Sequence, residues 1–260
     1  MIDLRIDDAV AHIVLDNPAQ LNALDEQALR DLDAAYTEAE AAGARALVLR
    51  GAGRAFCAGR DISRVDPRDD DVSGYLDGLV APLLQRMSRF PAPTFAAAHG
   101  ACLGVGLGLL IATDVVYVAE TAKIGSPFAA LGATLDSGGH ALFFERLGAH
   151  KTLDLVYTGR LMSGAEAVQS GLFSQVLPEG EVEAATVAVA ENAARGATRA
   201  FLASKDLVRR LRDERLGLWA SIEAENAAQV ALCDTDDYRE GFAAFQEKRA
   251  PRFGRGLSAG

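Results

Sequence analysis

Two glycine-bearing segments of this chain could each present backbone N–H groups to a ligand: Phe56-Cys57-Ala58-Gly59-Arg60-Asp61 and His99-Gly100-Ala101-Cys102-Leu103-Gly104-Val105-Gly106-Leu107-Gly108. Each follows an apolar, strand-like run, so each reads as a turn at a strand end. Two such turns can aim two N–H groups at one carbonyl oxygen. That is an oxyanion hole, which enolate chemistry needs because negative charge grows on the oxygen in the transition state. The nearest plausible proton carrier lies in Leu135-Asp136-Ser137-Gly138-Gly139. The combination points to removal of a proton next to a carbonyl.

The elements that must position these groups follow from the hydrophobic periodicity. Ile2-Leu4-Ile6 and Ala11-Ile13-Leu15 alternate around Asp7-Asp8, as a hairpin would. Asn22 or Asp25 can cap a helix to about Ala42, with Leu24, Ala28, Leu32, Ala35, Tyr36 and Ala39 on one face and Gly43 as its stop. Ala46 to Leu49 reads as a buried strand leading into the first glycine turn. The stretch Arg64 to Asp71, with Pro67 and the run Asp69-Asp70-Asp71, reads as a loop whose charges are solvated. A helix is expected over about 72–90, closed by Pro91-Ala92-Pro93, then a strand over 94–98, a helix over 104–113 and a strand over 115–119. Ser163-Gly164-Ala165-Glu166 has the spacing of a capping box. From about Glu181 the pattern is helical to the end. The expected organisation is one α/β unit over 1–195 and a helical extension over 196–260.

Composition narrows the function. The 260 residues carry 36 acidic against 26 basic side chains, a formal net charge of -10 that argues against broad nucleic-acid binding. Cys57, Cys102 and Cys233 are too few and too scattered for a disulfide framework or a metal site, and their odd number suits a reducing, cytoplasmic setting. Met1-Ile2-Asp3-Leu4-Arg5 does not begin a signal peptide, and the apolar run 100–113 is shorter than the roughly 20 residues of a spanning helix. A soluble protein without a membrane partner is expected.

Competing readings of the same residues fare unevenly. Gly104-Val105-Gly106-Leu107-Gly108 departs from a dinucleotide-binding turn, because its third glycine falls one place early and no acidic residue stands about 20 positions on at a strand end. Taken alone, it reads as a glycine-faced helix packed on a strand; paired with the first turn, it reads as an oxyanion element. Asp136 could simply cap the helix running through Leu142, Phe143 and Leu147. Apolar neighbours would raise its pKa and make it a usable base, while a helix N-terminus would oppose that rise. His140, one helical turn beyond, could assist it. His12, His99 and His150 lack metal-ligand spacing, Ser126 and Ser137 sit in no GxSxG elbow, and Cys57 has no local activating group. Neither a metal site nor a nucleophilic hydrolase is expected.

These features resemble the crotonase family, also called the enoyl-CoA hydratase/isomerase family, over essentially the whole chain. The resemblance rests on Asn17-Pro18-Ala19-Gln20-Leu21-Asn22-Ala23-Leu24, Phe56 to Ile62, and His99 to Gly108 leading to Asp114. It continues through Gly125-Ser126-Pro127-Phe128, Leu131-Gly132, Gly138-Gly139, Thr158-Gly159-Arg160 and Phe245-Gln246-Glu247-Lys248-Arg249. It implies an α/β fold, a spiral of ββα units with a C-terminal helical trimerisation region, and a coenzyme A thioester as substrate with no further cofactor. By position, the oxyanion-hole N–H groups belong to Arg60 and Val105. Ala58, Asp61 and Ile62 would form the adenine pocket, Gly104 would lie against the substrate, and Lys248 would meet a CoA phosphate, from another subunit if the trimer forms. The assembly implied is a homotrimer or a dimer of trimers.

Departures from the family pattern bear on the reaction. Two glutamates hold the attacking water in hydratases of this family, and the matching positions here are Gly108 and Phe128. Without them water has neither an orienting partner nor a base. Asp136 matches the position where some family isomerases, those similar to epoxyphenylacetyl-CoA isomerase among them, carry a catalytic aspartate. One carboxylate can remove a proton from one carbon of an enoyl thioester and return it to another, and Phe128 would keep the pocket dry. Aryl-CoA dehalogenases of the family also use this aspartate, with a histidine after the first glycine turn, yet no histidine lies between Asp61 and Ala98. The expectation is an enoyl-CoA isomerase. A hydratase or other crotonase-type lyase is the alternative, and a non-catalytic CoA-binding relative is a further one.

Overall fold

A computed structural model describes residues 1–63 and 65–254 of the protein. Arg64, which opens the loop expected over 64–71, and the last six residues of the C-terminal region lie outside the described residues. In chain order the strands are β1 (Ile2–Asp7), β2 (Val10–Leu15), β3 (Ala46–Gly51), β4 (Thr94–Ala98), β5 (Ala101–Leu103), β6 (Val115–Ala119), β7 (Lys123–Gly125), β8 (Met162–Ser163) and β9 (Gln175–Leu177). The helices are α1 (Glu26–Ala41), α2 (Val72–Tyr75), α3 (Ala81–Ser88), α4 (Val105–Ile111), α5 (Gly139–Thr158), α6 (Gly164–Gln169), α7 (Val182–Ala194), α8 (Thr198–Asp213), α9 (Leu218–Cys233) and α10 (Asp236–Gln246).

The main sheet has the order β1-β2-β3-β4-β6-β9, parallel except for the β1–β2 hairpin. Its central strands are covered on both faces, and the period of two divides their side chains between the layers. Ala11, Ile13, Leu15, Leu47 and Leu49 join the main core with Leu29, Leu32 and Tyr36 of α1, while Val10, Ala46, Val48 and Phe95 pack with Ala190 and Ala194 of α7. A smaller sheet, β5-β7-β8, lies beyond the strand ends. The chain steps from β4 to β5 through Gly100 at φ 55°, where a Cβ would fall on the Arg54 carbonyl oxygen, so glycine is required. The succession β4-β5-α4 and then β6-β7-α5 realises the strand-strand-helix units of the expected spiral.

Several local expectations are corrected. Of the two caps expected for α1, Asp25 serves, accepting a hydrogen bond from the Ala28 N–H at 2.8 Å. The helix expected over 72–90 contains a π-turn, Leu76–Val80, and its last regular residue is Ser88. Pro82 supplies no N–H at the start of α3, and the preceding turn widens so that Ala81 donates to the Leu76 carbonyl. Ser163 does cap α6, yet the Glu166 carboxylate grips Arg160 at 2.9 Å through both oxygens and does not complete a reciprocal box.

The C-terminal helices are tied down at few points. Lys205 of α8 reaches the Asp114 carboxylate at 2.9 Å and the Phe90 carbonyl at 3.0 Å, and Arg45 bonds the Ala194 and Gly196 carbonyls. Beyond those ties, Val208, Leu218, Trp219, Val230, Phe242 and Phe245 are exposed. Among the described residues no helix is long and apolar enough to cross a membrane.

Candidate active site

Buried polar contacts place the first glycine turn. Asn22, with 1% of its surface exposed and a left-handed backbone (φ 57°), donates from its amide to the carbonyls of Ala52, Ala55 and Phe56 at 2.9, 2.7 and 3.2 Å. Its Oδ1 accepts from the Asn17 N–H at 2.8 Å. Leu24 fixes the next stretch: its N–H donates to the Gly59 carbonyl, and its carbonyl accepts from the Asp61 N–H at 2.9 Å and the Tyr75 hydroxyl at 3.1 Å. Residues 59 and 61 both face Leu24, so the Arg60 N–H between them is directed away from it.

The second turn is docked on the first. Cys57 donates to the Ala101 carbonyl at 2.9 Å and accepts from the Leu103 N–H at 3.0 Å. Gly59 (φ 100°) and Gly104 (φ 53°) then come face to face: a Cβ on Gly59 would lie 2.9 Å from the Leu103 oxygen and 3.7 Å from the Gly104 Cα. A side chain at Gly59 would force the turns apart, whereas one at Gly104 would meet the Phe128 ring and strain a positive-φ backbone. Val105 is the first residue of α4, where an N–H has no intrahelical acceptor. Among the described residues, neither the Arg60 N–H nor the Val105 N–H donates to a protein group. Two turns in contact, each with an unused N–H, can receive one carbonyl oxygen.

Asp136 sits on a turn that closes against α4. Its carbonyl accepts from the Gly139 N–H at 2.9 Å across Ser137 (φ 51°) and Gly138 (φ 87°), the two positive φ values of a type I′ turn. The residue capping α5 is Gly138, and no side chain caps it. The helix-capping alternative for Asp136 is thereby removed. Its half-buried carboxylate accepts from the Ser137 hydroxyl at 2.8 Å. Burial pushes its pKa up, while the Ser137 hydrogen bond and the Arg60 charge pull the other way. Gly108, one turn along α4 from Gly104, is what lets this turn approach: a Cβ there would fall on the Ser137 Cβ, with the Ser137 carbonyl oxygen at 3.1 Å. The space beside Gly108, where the resemblance would put a hydratase glutamate, is thus filled by the loop that carries Asp136.

Other candidates are placed unevenly. The Phe128 ring covers Gly104, with Cζ 3.0 Å from where a Cβ would stand. Ala58 donates to the Leu21 carbonyl at 2.9 Å beside the first turn, Asp61 accepts from the Ser63 N–H at 2.9 Å, and Ile62 is exposed. Lys248 is exposed after α10, and no hydrogen bond or ion pair among the described residues joins it to these turns. His140 is exposed and lies 3.4 Å from the Thr134 hydroxyl, not on the Asp136 carboxylate. A cavity of about 890 Å³ opens on another side of α4, between α5 and α8; it is lined by Ile111, Leu142, Phe173 and Phe201 and excludes Asp136. No group of three or more His, Cys, Asp or Glu side chains among the described residues could hold a metal.

Two sets of side-chain contacts were not foreseen from the sequence. The Arg60 guanidinium lies 4.1 Å over the Tyr75 ring and grips Asp70 at 2.9 and 2.6 Å. Asn22, one of the two candidate caps for α1, instead holds the first glycine turn. Nothing in the spacing of Arg60, Asp70 and Tyr75 marks them as partners.

Comparison with known proteins gives the family and the fold. The family model described as enoyl-CoA hydratase/isomerase matches residues 5–256. An enoyl-CoA hydratase/isomerase homologue of Bacillus subtilis (strain 168) is 34% identical over 249 residues, covering 94% of this chain and 95% of that protein. The 2,3-dehydroadipyl-CoA hydratase of Escherichia coli (strain K12) is 30% identical, with 93% of each chain covered. Among solved structures, an enoyl-CoA hydratase subunit of Geobacillus kaustophilus HTA426 superposes with a TM-score of 0.87 at 32% identity, covering 97% of each chain. The chain belongs to the enoyl-CoA hydratase/isomerase, or crotonase, family. It has the crotonase fold and is a crotonase-type acyl-CoA enzyme.

Proposed function

We propose that this enzyme shifts the double bond of an enoyl-CoA. The carrying observation is a single half-buried carboxylate, Asp136, that is not spent on capping and stands where α4 has no side chain. The Arg60 and Val105 N–H groups receive the thioester oxygen. Asp136 takes a proton from the carbon that becomes part of a dienolate and returns it to the far carbon, so one base serves both transfers. Phe128 covers the site on the side where a hydratase would hold water. Ala58, Asp61, Ile62 and Gly104 border the coenzyme A moiety, and Lys248 meets one of its phosphates from a neighbouring subunit. No cofactor beyond the coenzyme A of the substrate takes part. The match at Asp136 makes enzymes similar to epoxyphenylacetyl-CoA isomerase the nearest functional analogues. Hydration is the second reading, favoured by the names of relatives such as the E. coli hydratase.

The enzyme assembles, in this reading, as a homotrimer or a dimer of trimers in the cytoplasm, through the helices of 196–260 attached to the 1–195 core. Exposed Val208, Trp219 and Phe245 support this. Light scattering should give the trimer or hexamer mass, and a stable monomer refutes the assembly.

The decisive experiment incubates the protein with 2-enoyl and 3-enoyl thioesters in deuterated water. Isomerisation with deuterium uptake is expected and should vanish in Asp136→Asn, which keeps the shape but not the base, while thioester affinity stays near parental. Efficient hydration of 2-enoyl-CoA without such exchange refutes the isomerase reading.

A further inference from the structure

The side chain of Arg60 is built into the site in a way that its backbone role does not require. Its backbone is flanked by the two hydrogen bonds that Leu24 makes to residues 59 and 61, and its guanidinium lies 4.1 Å over the Tyr75 ring and donates through both terminal nitrogens to the Asp70 carboxylate at 2.9 and 2.6 Å. The pair is mostly withdrawn from water, with side-chain exposures of 22% and 16%. Tyr75 is itself fixed, buried and hydrogen-bonded to the Leu24 carbonyl. Asp70 is held too, because its neighbour Asp71 caps α2 through the Gly74 N–H at 2.8 Å. An apolar residue at position 60 would leave the N–H in place; the arginine adds a fixed, paired charge.

We propose that Arg60 and Asp70 form a positioning pair: the guanidinium sets the proton affinity of Asp136, and Asp70 partly neutralises it so that Asp136 stays basic enough to take a proton from carbon. The inference rests on Asp136 being the base. Gly59 is packed on Gly104 and Ser137 on Gly108, one helical turn along α4, so the residues next to them, Arg60 and Asp136, flank the same stretch of α4, and the Arg60 charge acts to lower the Asp136 pKa. Among the described residues the other groups around this cluster are few. The Ser137 hydroxyl bonds the carboxylate, His140 follows on α5, Asp25 and Glu26 at the start of α1 act on Tyr75 and Arg60, Cys57 acts on Tyr75, and α4 contributes no titratable side chain. Among the described residues Arg60 is the cation that acts on Asp136, so changes at the two members of the pair should move Asp136 in opposite directions.

The test uses Asp70→Asn, Arg60→Met and Arg60→Lys in the full-length protein, each checked for parental thermal unfolding. Asparagine at 70 keeps the size and one acceptor but releases the arginine's charge. The acid limb of the kcat/KM profile for 3-enoyl-CoA, and the Asp136 carboxyl titration followed by carbon NMR and assigned with Asp136→Asn, should both move to lower pH. Methionine at 60 keeps the backbone N–H and the apolar stem over Tyr75, and both readouts should move to higher pH. Lysine restores the charge and should bring both back towards the parental values. A loop merely loosened by mutation would lower kcat in all three without this reversal of sign. If the two single changes move the carboxyl titration the same way, or not at all, the pair does not set Asp136 and the inference is wrong. If the titration moves as expected while the rate profile stays fixed, the pair stands and Asp136 is not the base.

Discussion

Placing an alanine at position 108 tests the whole geometry with one methyl group. Gly108 has ordinary helical backbone and is buried in α4, so the substitution itself favours the helix by about 1 kcal/mol. The added Cβ, however, would fall on the Ser137 Cβ, with the Ser137 carbonyl oxygen at 3.1 Å and its Oγ at 3.2 Å. Carbon atoms pack comfortably at about 3.5–4.0 Å, so the turn carrying Asp136 must retreat by roughly 1 Å. Overpacking of this kind costs about 1–3 kcal/mol, which leaves a net loss of at most about 2 kcal/mol after the helix gain. Catalysis should suffer far more than stability, because a misplacement of about 1 Å costs on the order of 10²-fold. Gly108→Ala should therefore unfold in urea only slightly earlier than the parent while its kcat for 3-enoyl-CoA falls about 100-fold and KM barely moves. Adding Ser137→Gly removes the colliding Cβ at a position whose φ of 51° suits glycine, and kcat should recover in the double variant. Parental kcat in Gly108→Ala would refute the claim that this contact sets the base. The same collision bars a glutamate at 108, so Gly108→Glu should not create a hydratase.

Val105→Pro should lower kcat by roughly 10²–10³ with the fold intact, since proline at the first helical position removes an N–H that α4 does not use; unchanged turnover in a folded protein removes this N–H from the mechanism. Asp136→Asn should also unfold at higher temperature than the parent near neutral pH. Because burial raises the Asp136 pKa in the folded state, its stabilising contribution is present at acid pH and lost as pH rises through the folded value, whereas asparagine does not titrate. The melting advantage should fade below the ordinary carboxylate range, and an advantage independent of pH would show that Asp136 is not desolvated as described.

The parts of this fold legible in the sequence are those fixed by short-range pattern. The alternation in β2 and the unbroken apolar run of β3 announced strands, and the glycines of both turns announced close backbone approach, because only glycine fits at 59 and 104. Crotonase membership, read from the motifs, is carried by the family match over residues 5–256. The local pattern around Asp136 was ambiguous for a physical reason: an acid before Ser-Gly-Gly suits both a helix cap and a type I′ turn, and only the packing of Ser137 onto Gly108 decides between them. Asn22 was opaque because its partners stand 30 to 34 residues away.

Asp69-Asp70-Asp71 shows most clearly where sequence reasoning stops. Three consecutive carboxylates read as one solvated run, since like charges repel and water screens them. The fold gives the last two different work: Asp71 caps α2, and Asp70, turned to the opposite partner, closes on Arg60. What separates them is the side to which each carboxylate points as the backbone enters a helix, a property of φ and ψ that composition does not carry. A run of like charges beside a helix start can therefore combine a structural cap with a tuned electrostatic partner of the active site, and the opposite pH shifts expected of Asp70→Asn and Arg60→Met are the measure of whether it does so here.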